Sequence, residues 1–207
     1  MTKSETLTKF QLYMDDTSEL SSDELSDLYD KVYSEVCTDR PWEFTKREYS
    51  GTASISVPYI ALPSDFAYLV SNANKTENTY ESSKPVIFVG TNYEPYEVVS
   101  YSDRRQYRDK DGYCYIDIVN SRLYFTKQPD SAESVEYDYC AVPTALGLSD
   151  SPAFPARFHD IIYHGMCVDS FIIQQSDKAK SYAGEHTQAY KRYLTNMAFW
   201  NANLIQM

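Results

Sequence analysis

Glycine is scarce in this chain, six residues in 207, and the scarcity excludes a large class of functions. Nucleotide-binding loops need clustered glycines so that the backbone can approach a phosphate, and no Walker loop or GxGxxG stretch is present. The four cysteines, Cys37, Cys114, Cys140 and Cys167, stand far apart with no CxxC pair. They read as free thiols filling a core in a reducing compartment. No window approaches the roughly 18 consecutive apolar residues of a membrane span, and the opening MTKSETLTKF has no apolar signal region. The expectation is a soluble protein made in the cytoplasm. Basic residues are also few, 19 Lys and Arg against 30 Asp and Glu, for a net charge of −11. That balance excludes wrapping a nucleic-acid backbone, which works through counterion release to Lys and Arg. It leaves room for a repulsive channel through which DNA slides.

Catalytic signatures are missing as well: there is no GxSxG and no HExxH. His159 and His164 are five residues apart, not the four that stack two imidazoles on one helix face, and His186 is the only other histidine. The DKDG run (109–112) lacks the alternating ligands and closing Glu of a calcium loop and reads as a solvated turn. Carboxylates are so numerous that no pair stands out. The expectation is a protein that is not an enzyme, with no catalytic, cofactor-binding or metal-ligating residues and no cofactor.

Tyrosine is in excess, 20 residues. Its apolar ring and polar tip suit half-buried sheets and contact surfaces. Residues 4–14 have Leu7, Phe10 and Met14 at helical spacing. Ser21 and Glu24 form a capping-box pattern, and Leu25, Leu28, Val32 and Val36 continue as an apolar stripe that predicts a helix over 22–38. Pro41 ends it, since it disfavours helical geometry in the residue before it. From Phe44 the period falls from 3.6 to 2: TASISV (52–57), YCYIDIV (113–119), RLYFT (122–126) and SVEYDYC (134–140) alternate, with FAYLV (66–70), PVIFV (85–89) and YEVVS (96–100) as shorter candidates. Asn120-Ser121 sits where a tight hairpin turn is needed. The polar run 72–84 reads as a functional or mobile loop, and 102–112 as a loop or a short helical turn. Helical spacing returns at Pro155, through Phe158, Ile161, Ile162, Gly165, Val168 and Ile172, and again from about Asp177 through Ala179, Ala183, Tyr190, Leu194 and Met197.

The fold expected is α+β: an antiparallel helical bundle (1–43 and 152–207) interrupted by a mostly antiparallel β-sandwich or barrel-like insertion (44–151). Three sets of residues stand out. MAFWNANLIQM ends a hydrophilic chain with Met197, Phe199, Trp200, Leu204, Ile205 and Met207, a candidate apolar anchor for a partner. Arg104, Arg105, Arg108 and Lys110 form one basic knot, interleaved with Asp103, Asp109 and Asp111, a candidate inter-subunit or DNA-channel loop. Asp39, Arg40, Pro41 and Trp42, with Phe154, Pro155 and Phe158 on the return, mark a structural seam where bundle and insertion meet, with Trp42 a core anchor.

Several motifs in order resemble a known family: Asp39-Arg40-Pro41-Trp42 after an N-terminal helix, SVPYIALPSDF (56–66), an exit strand from Tyr139 to Pro143, AFPARFHDIIYHGM (153–166), and AYKRYLTNM (189–197). Their order is similar to that of the head-to-tail adaptor, or neck-ring, proteins of tailed bacteriophages. The resemblance implies a structural virion protein at the neck, made and assembled in the bacterial host cytoplasm. Such subunits form a homo-oligomeric ring, usually of twelve copies, that binds the portal protein and extends the DNA channel. The ring connects the capsid to the next neck or tail protein, and double-stranded DNA passes through without sequence-specific binding. C-terminal segments of the family commonly reach the portal. Alternatives are another neck or tail-tube ring component, or a glycan-binding or glycan-cleaving virion protein using two of the many carboxylates.

Overall fold

The computed structural model describes residues 1–14, 20–70, 85–174 and 177–205, with the backbone alone for 171–174, 177–181 and 205. The chain is α+β, with four α-helices and one eight-stranded, nearly closed barrel-like sheet. It divides into two compact units, Met1–Phe44 with Pro143–Met207, and Thr45–Val142.

In the helical unit, α1 (Lys3–Tyr13) and α2 (Ser22–Thr38) both start from capping boxes. Thr2 and Glu5, then Ser21 and Glu24, each satisfy two amides that a helix start would leave unpaired. α3 (Asp160–Gln174) follows a short 3-10 turn at Ala156–Phe158, and α4 (Asp177–Ile205) is the longest element. The core joins Phe10, Leu25, Tyr29, Val32 and Val36 to Phe158, Ile161, Ile162, Met166 and Met197. α3 is the hub: it packs on α1, α2 and α4. The helices are not all paired as a bundle of equal partners, because α4 lays its apolar stripe along α3. Where α3 crosses α2, Gly165 lets the backbones close up, since a Cβ there would lie 2.4 Å from Val32 Cγ1. The Lys3 ammonium is buried and held by both Asp30 oxygens at 2.7 Å, which ties α1 to α2.

The β-unit has strands β1 (Lys46–Ala53), β2 (Tyr59–Ala61), β3 (Phe66–Leu69), β4 (Val86–Val89), β5 (Glu94–Val98), β6 (Tyr113–Asp117), β7 (Arg122–Phe125) and β8 (Glu133–Ala141). Their order is β1-β8-β4-β5-β6-β7-β2, with β3 also on β8. β8 is the hub: β1 pairs along its full length, while β3 and β4 share its other edge. β1 and β2, at the two ends of the order, approach one another. Ile87, Val89, Cys114, Leu123, Val135 and Tyr137 fill the interior.

Three details differ from the sequence pattern. The alternation in TASISV does not continue as strand: β1 stops at Ala53 and Ile55 is exposed. The Ser54 hydroxyl accepts the Ser56 amide at 3.2 Å and lies 2.7 Å from the Ser56 hydroxyl, and serine-to-backbone bonding of this kind competes with a ladder. β5 and β6 pair parallel, through Glu97 with Tyr113 and Val98 with Cys114. A long connection between them through the 3-10 turn Arg104–Tyr107 makes that direction possible. The β6–β7 hairpin closes at Asp117 and Arg122, so its loop is 118–121, wider than Asn120-Ser121 alone. The 72–84 run and Met207 lie outside the described residues, as do the side chains of Ile172 and Ile205.

Candidate partner-docking surfaces

The apolar C-terminal stretch is divided by the helix that carries it. Met197 is fully buried, and Trp200 packs on the same core with its ring 6.4 Å from Phe44 and 5.9 Å from Phe158. Phe199 is 68% exposed and Leu204 42%. An α-helix advances about 100° per residue, so one stripe of α4 must face its own core while the next faces solvent. Met197 and Trp200 are therefore committed to the chain's own core, and Phe199 and Leu204 are the described residues that face out.

Of the DRPW stretch only Trp42 is interior, while Asp39 and Pro41 are exposed and Arg40 is half-buried. Trp42 is fully buried, and its indole N–H donates to the Val36 carbonyl at 2.7 Å. That carbonyl belongs to the last turn of α2, where no intrahelical donor remains. A backbone bond from the Trp42 amide to the Arg40 carbonyl, 2.8 Å, closes a tight turn over Pro41. The Arg40 guanidinium lies 5.0 Å from the Trp42 ring centre and bonds Asp39 at 2.7 Å. Phe44 stacks on Trp42 at 5.9 Å and meets Phe154 at 5.7 Å, so the outgoing and returning stretches share one aromatic cluster with Phe158. Pro155 precedes the 3-10 turn before α3.

The basic knot is on the β-unit. Arg104, Arg105 and Arg108 line an open concavity of about 220 Å³ together with Tyr115, Phe125 and Thr126. Arg104 lies over the Tyr101 ring at 3.8 Å and donates to the Tyr101 carbonyl. Arg108 has a loose, exposed contact with Asp109 at 3.8 Å. Lys110 sits outside the concavity, 5.0 Å from the Tyr107 ring centre. Beside it runs a tyrosine ladder that periodicity did not reveal. Tyr101 meets Tyr115 edge-on at 5.9 Å, Tyr115 stacks on Tyr124 at 5.2 Å, and Tyr124 meets Tyr59 at 5.3 Å. Arg122 closes the far end, 4.0 Å over Tyr59. The ladder follows from strand register: Tyr59 lies opposite Tyr124 and Tyr124 opposite Tyr115. Its one sequence signal was the tyrosine excess.

The groups with chemical potential are occupied or buried. Asp111 accepts from Tyr96 at 2.8 Å, Lys127 at 3.2 Å and the Gly112 amide at 3.0 Å, and these bonds hold its carboxyl below the usual range. The four thiols are free and buried, and burial pushes Cys37 and Cys167 up to about 12. His159 bonds the Phe154 carbonyl through Nε2 at 2.8 Å, away from His164. His164 instead meets His186 across α3 and α4, Nδ1 to Nδ1 at 2.9 Å. Burial, then the neighbouring imidazole, lowers His164 to about 4. Among the described residues no group of three or more His, Cys, Asp or Glu could hold a metal ion. Among them, too, no helix is long and apolar enough to cross a membrane.

The family model described as SU10 adaptor protein matches residues 1–204, and the chain belongs to that family. It is a structural adaptor of phage particles, a virion component that interacts with other head and tail proteins. No curated protein matches the chain.

Proposed function

We propose that this protein is the subunit of a closed head-to-tail ring that binds the portal, extends the DNA channel and links the capsid to the next neck or tail protein. The observation that carries this reading is the family match over residues 1–204. An α4 end that presents Phe199 and Leu204 to solvent supports it, since large apolar side chains at a docked terminus supply much of an interface's energy. Ile205 and Met207 belong to the same proposed anchor by sequence alone, while Met197 and Trp200 pack on the core of the helical unit. The ring holds about twelve copies, as the resemblance to neck-ring proteins implies. A net charge of −11 suits a channel wall that duplex DNA, with about one charge per 1.7 Å of axis, slides past without binding. The protein works without catalysis or cofactor.

Electron microscopy of the purified protein mixed with its portal tests this directly. The expected image is a closed ring at the portal's outer end, absent when Phe199→Ser and Leu204→Ser are combined. Point substitution is the right perturbation because truncation would remove buried Met197 and unfold the helix that presents the anchor. A ring that forms only on distal tail components would make the protein a tail-tube subunit, and no ring at all would refute the reading.

A further inference from the structure

The arginine-lined concavity and the tyrosine ladder meet at Tyr115 on the β-unit. Arg105 is exposed and makes no ion pair among the described residues, and the contact of Arg108 with Asp109 is long and solvated. Arg104 lies over the Tyr101 ring at 3.8 Å and Arg122 over the Tyr59 ring at 4.0 Å. Each also donates one N–H within the unit, Arg104 to the Tyr101 carbonyl and Arg122 to the Tyr124 hydroxyl at 3.3 Å. The ring contact and that bond together hold the guanidinium in place, and a guanidinium has five N–H donors in all. Arg104, Arg105, Arg108 and Tyr115 line the depression, and Tyr101, Tyr124, Tyr59 and Arg122 run beside it. Arginine and tyrosine are the residues that dominate protein interfaces.

The same chain carries a complementary surface. Asp23 and Asp27 are exposed one turn apart on α2 and make no ion pair among the described residues. A ring built from one kind of subunit needs two different, mutually complementary patches on each copy. Duplex DNA is the poorer occupant. Asp103 and Asp109 are interleaved with the arginines, whereas tracking a phosphate backbone rewards an uninterrupted row of cations.

We infer that the Arg105–Arg108 concavity, with the tyrosine ladder beside it, is the docking face for the next copy of this chain and receives the Asp23 and Asp27 carboxylates of that copy. The planar guanidinium fork matches a carboxylate bidentately, and the tyrosines supply apolar contact at small cost in side-chain freedom. This assignment rests on the ring reading and specifies which surfaces close the ring.

The test uses full-length protein and its portal, with ring formation scored by electron microscopy and folding checked by circular dichroism. Arg105→Glu with Arg108→Glu should reduce ring formation about tenfold or more, and Asp23→Arg with Asp27→Arg should do the same. Combining all four in one chain should recover most of the loss, because each interface regains opposite charges. Rings from the arginine variant at the wild-type level overturn the inference and leave the ring reading standing. A loss that the four-fold variant does not recover also overturns it, since the two patches then do not meet. If wild type itself forms no ring, the ring reading fails, and salt-dependent self-association in sedimentation velocity decides the contact separately: its absence overturns it. Intact rings with lost binding of a DNA duplex would assign the face to DNA.

Discussion

Replacing Trp42 gives the sharpest measurement of how the helical unit is held together. Its indole is fully buried and stacked on Phe44 with an interplanar angle of 15°, and its N–H bonds the Val36 carbonyl. Trp42→Ala should cost about 3–5 kcal/mol, the range for removing a large buried aromatic side chain. Against a total of about 5–15 kcal/mol for a typical domain, that is a large share. Trp42→Phe keeps most of the packing and removes the donor. It should cost about 1–3 kcal/mol, the penalty for leaving a buried carbonyl unpaired. The assay is urea unfolding followed by far-ultraviolet circular dichroism and by tryptophan emission. The chain has two tryptophans, Trp42 and Trp200, and both lie in the helical unit, so emission follows that unit specifically. In Trp42→Phe the signal comes from Trp200 alone. A Trp42→Ala midpoint within about 1 kcal/mol of wild type would refute the core assignment. Normal stability with failed ring assembly would make Trp42 a contact residue instead.

Gly165→Ala should destabilise by about 1–3 kcal/mol despite alanine's better helix propensity, because the new Cβ meets Val32 at 2.4 Å. Combining it with Val32→Ala should recover part of the loss in a double-mutant cycle, and strict additivity would show that the two do not touch. For the His164–His186 pair, the folded state disfavours the protonated form, with His164 lowered to about 4 and His186 lowered as well. The unfolded chain therefore binds more protons between about pH 6.5 and 4, and stability present above that window is lost as pH falls through it. Allowing for solvent screening, wild type should lose about 1–2 kcal/mol between pH 7 and pH 5. His164→Asn should flatten that dependence, and an equal slope in both proteins would refute the pairing. Phe199→Ser should leave stability within about 0.5 kcal/mol of wild type while weakening portal capture in a pull-down. A large loss of stability would place Phe199 in the core.

Much of the helical unit could be read from the chain alone. The bounds of α2, its capping box and its stop before Pro41 are local effects, written in residues within one or two turns of each other. The adaptor family was likewise legible, because an order of motifs is a one-dimensional property. Strand positions were mostly visible in the two-residue period, but partners were not. Alternation says which side chains share a face and nothing about which strand lies alongside. The parallel β5–β6 pair, the closure of β8 by β1, β3 and β4, and the ladder from Tyr101 to Tyr59 were settled by long-range pairing. Ile55 looked like strand core and became an exposed turn residue, since serine bonding to the backbone outweighed a short apolar alternation.

By itself the sequence determined what needs only neighbours along the chain: the helices and their caps, the strand periods, the thiols spaced too far apart for a metal motif, and the acidic excess. Tertiary structure decided what needs distant residues in one place. It set Met197 and Trp200 on the core and turned Phe199 and Leu204 to solvent, brought His164 to His186 rather than to His159, and gathered arginines and tyrosines from a 3-10 turn and strands β2, β6 and β7 on the β-unit. The physical reason is range. Caps and periods are fixed by bonds and torsions within a few residues, whereas faces, registers and docking surfaces follow from packing between segments that the chain order does not place side by side.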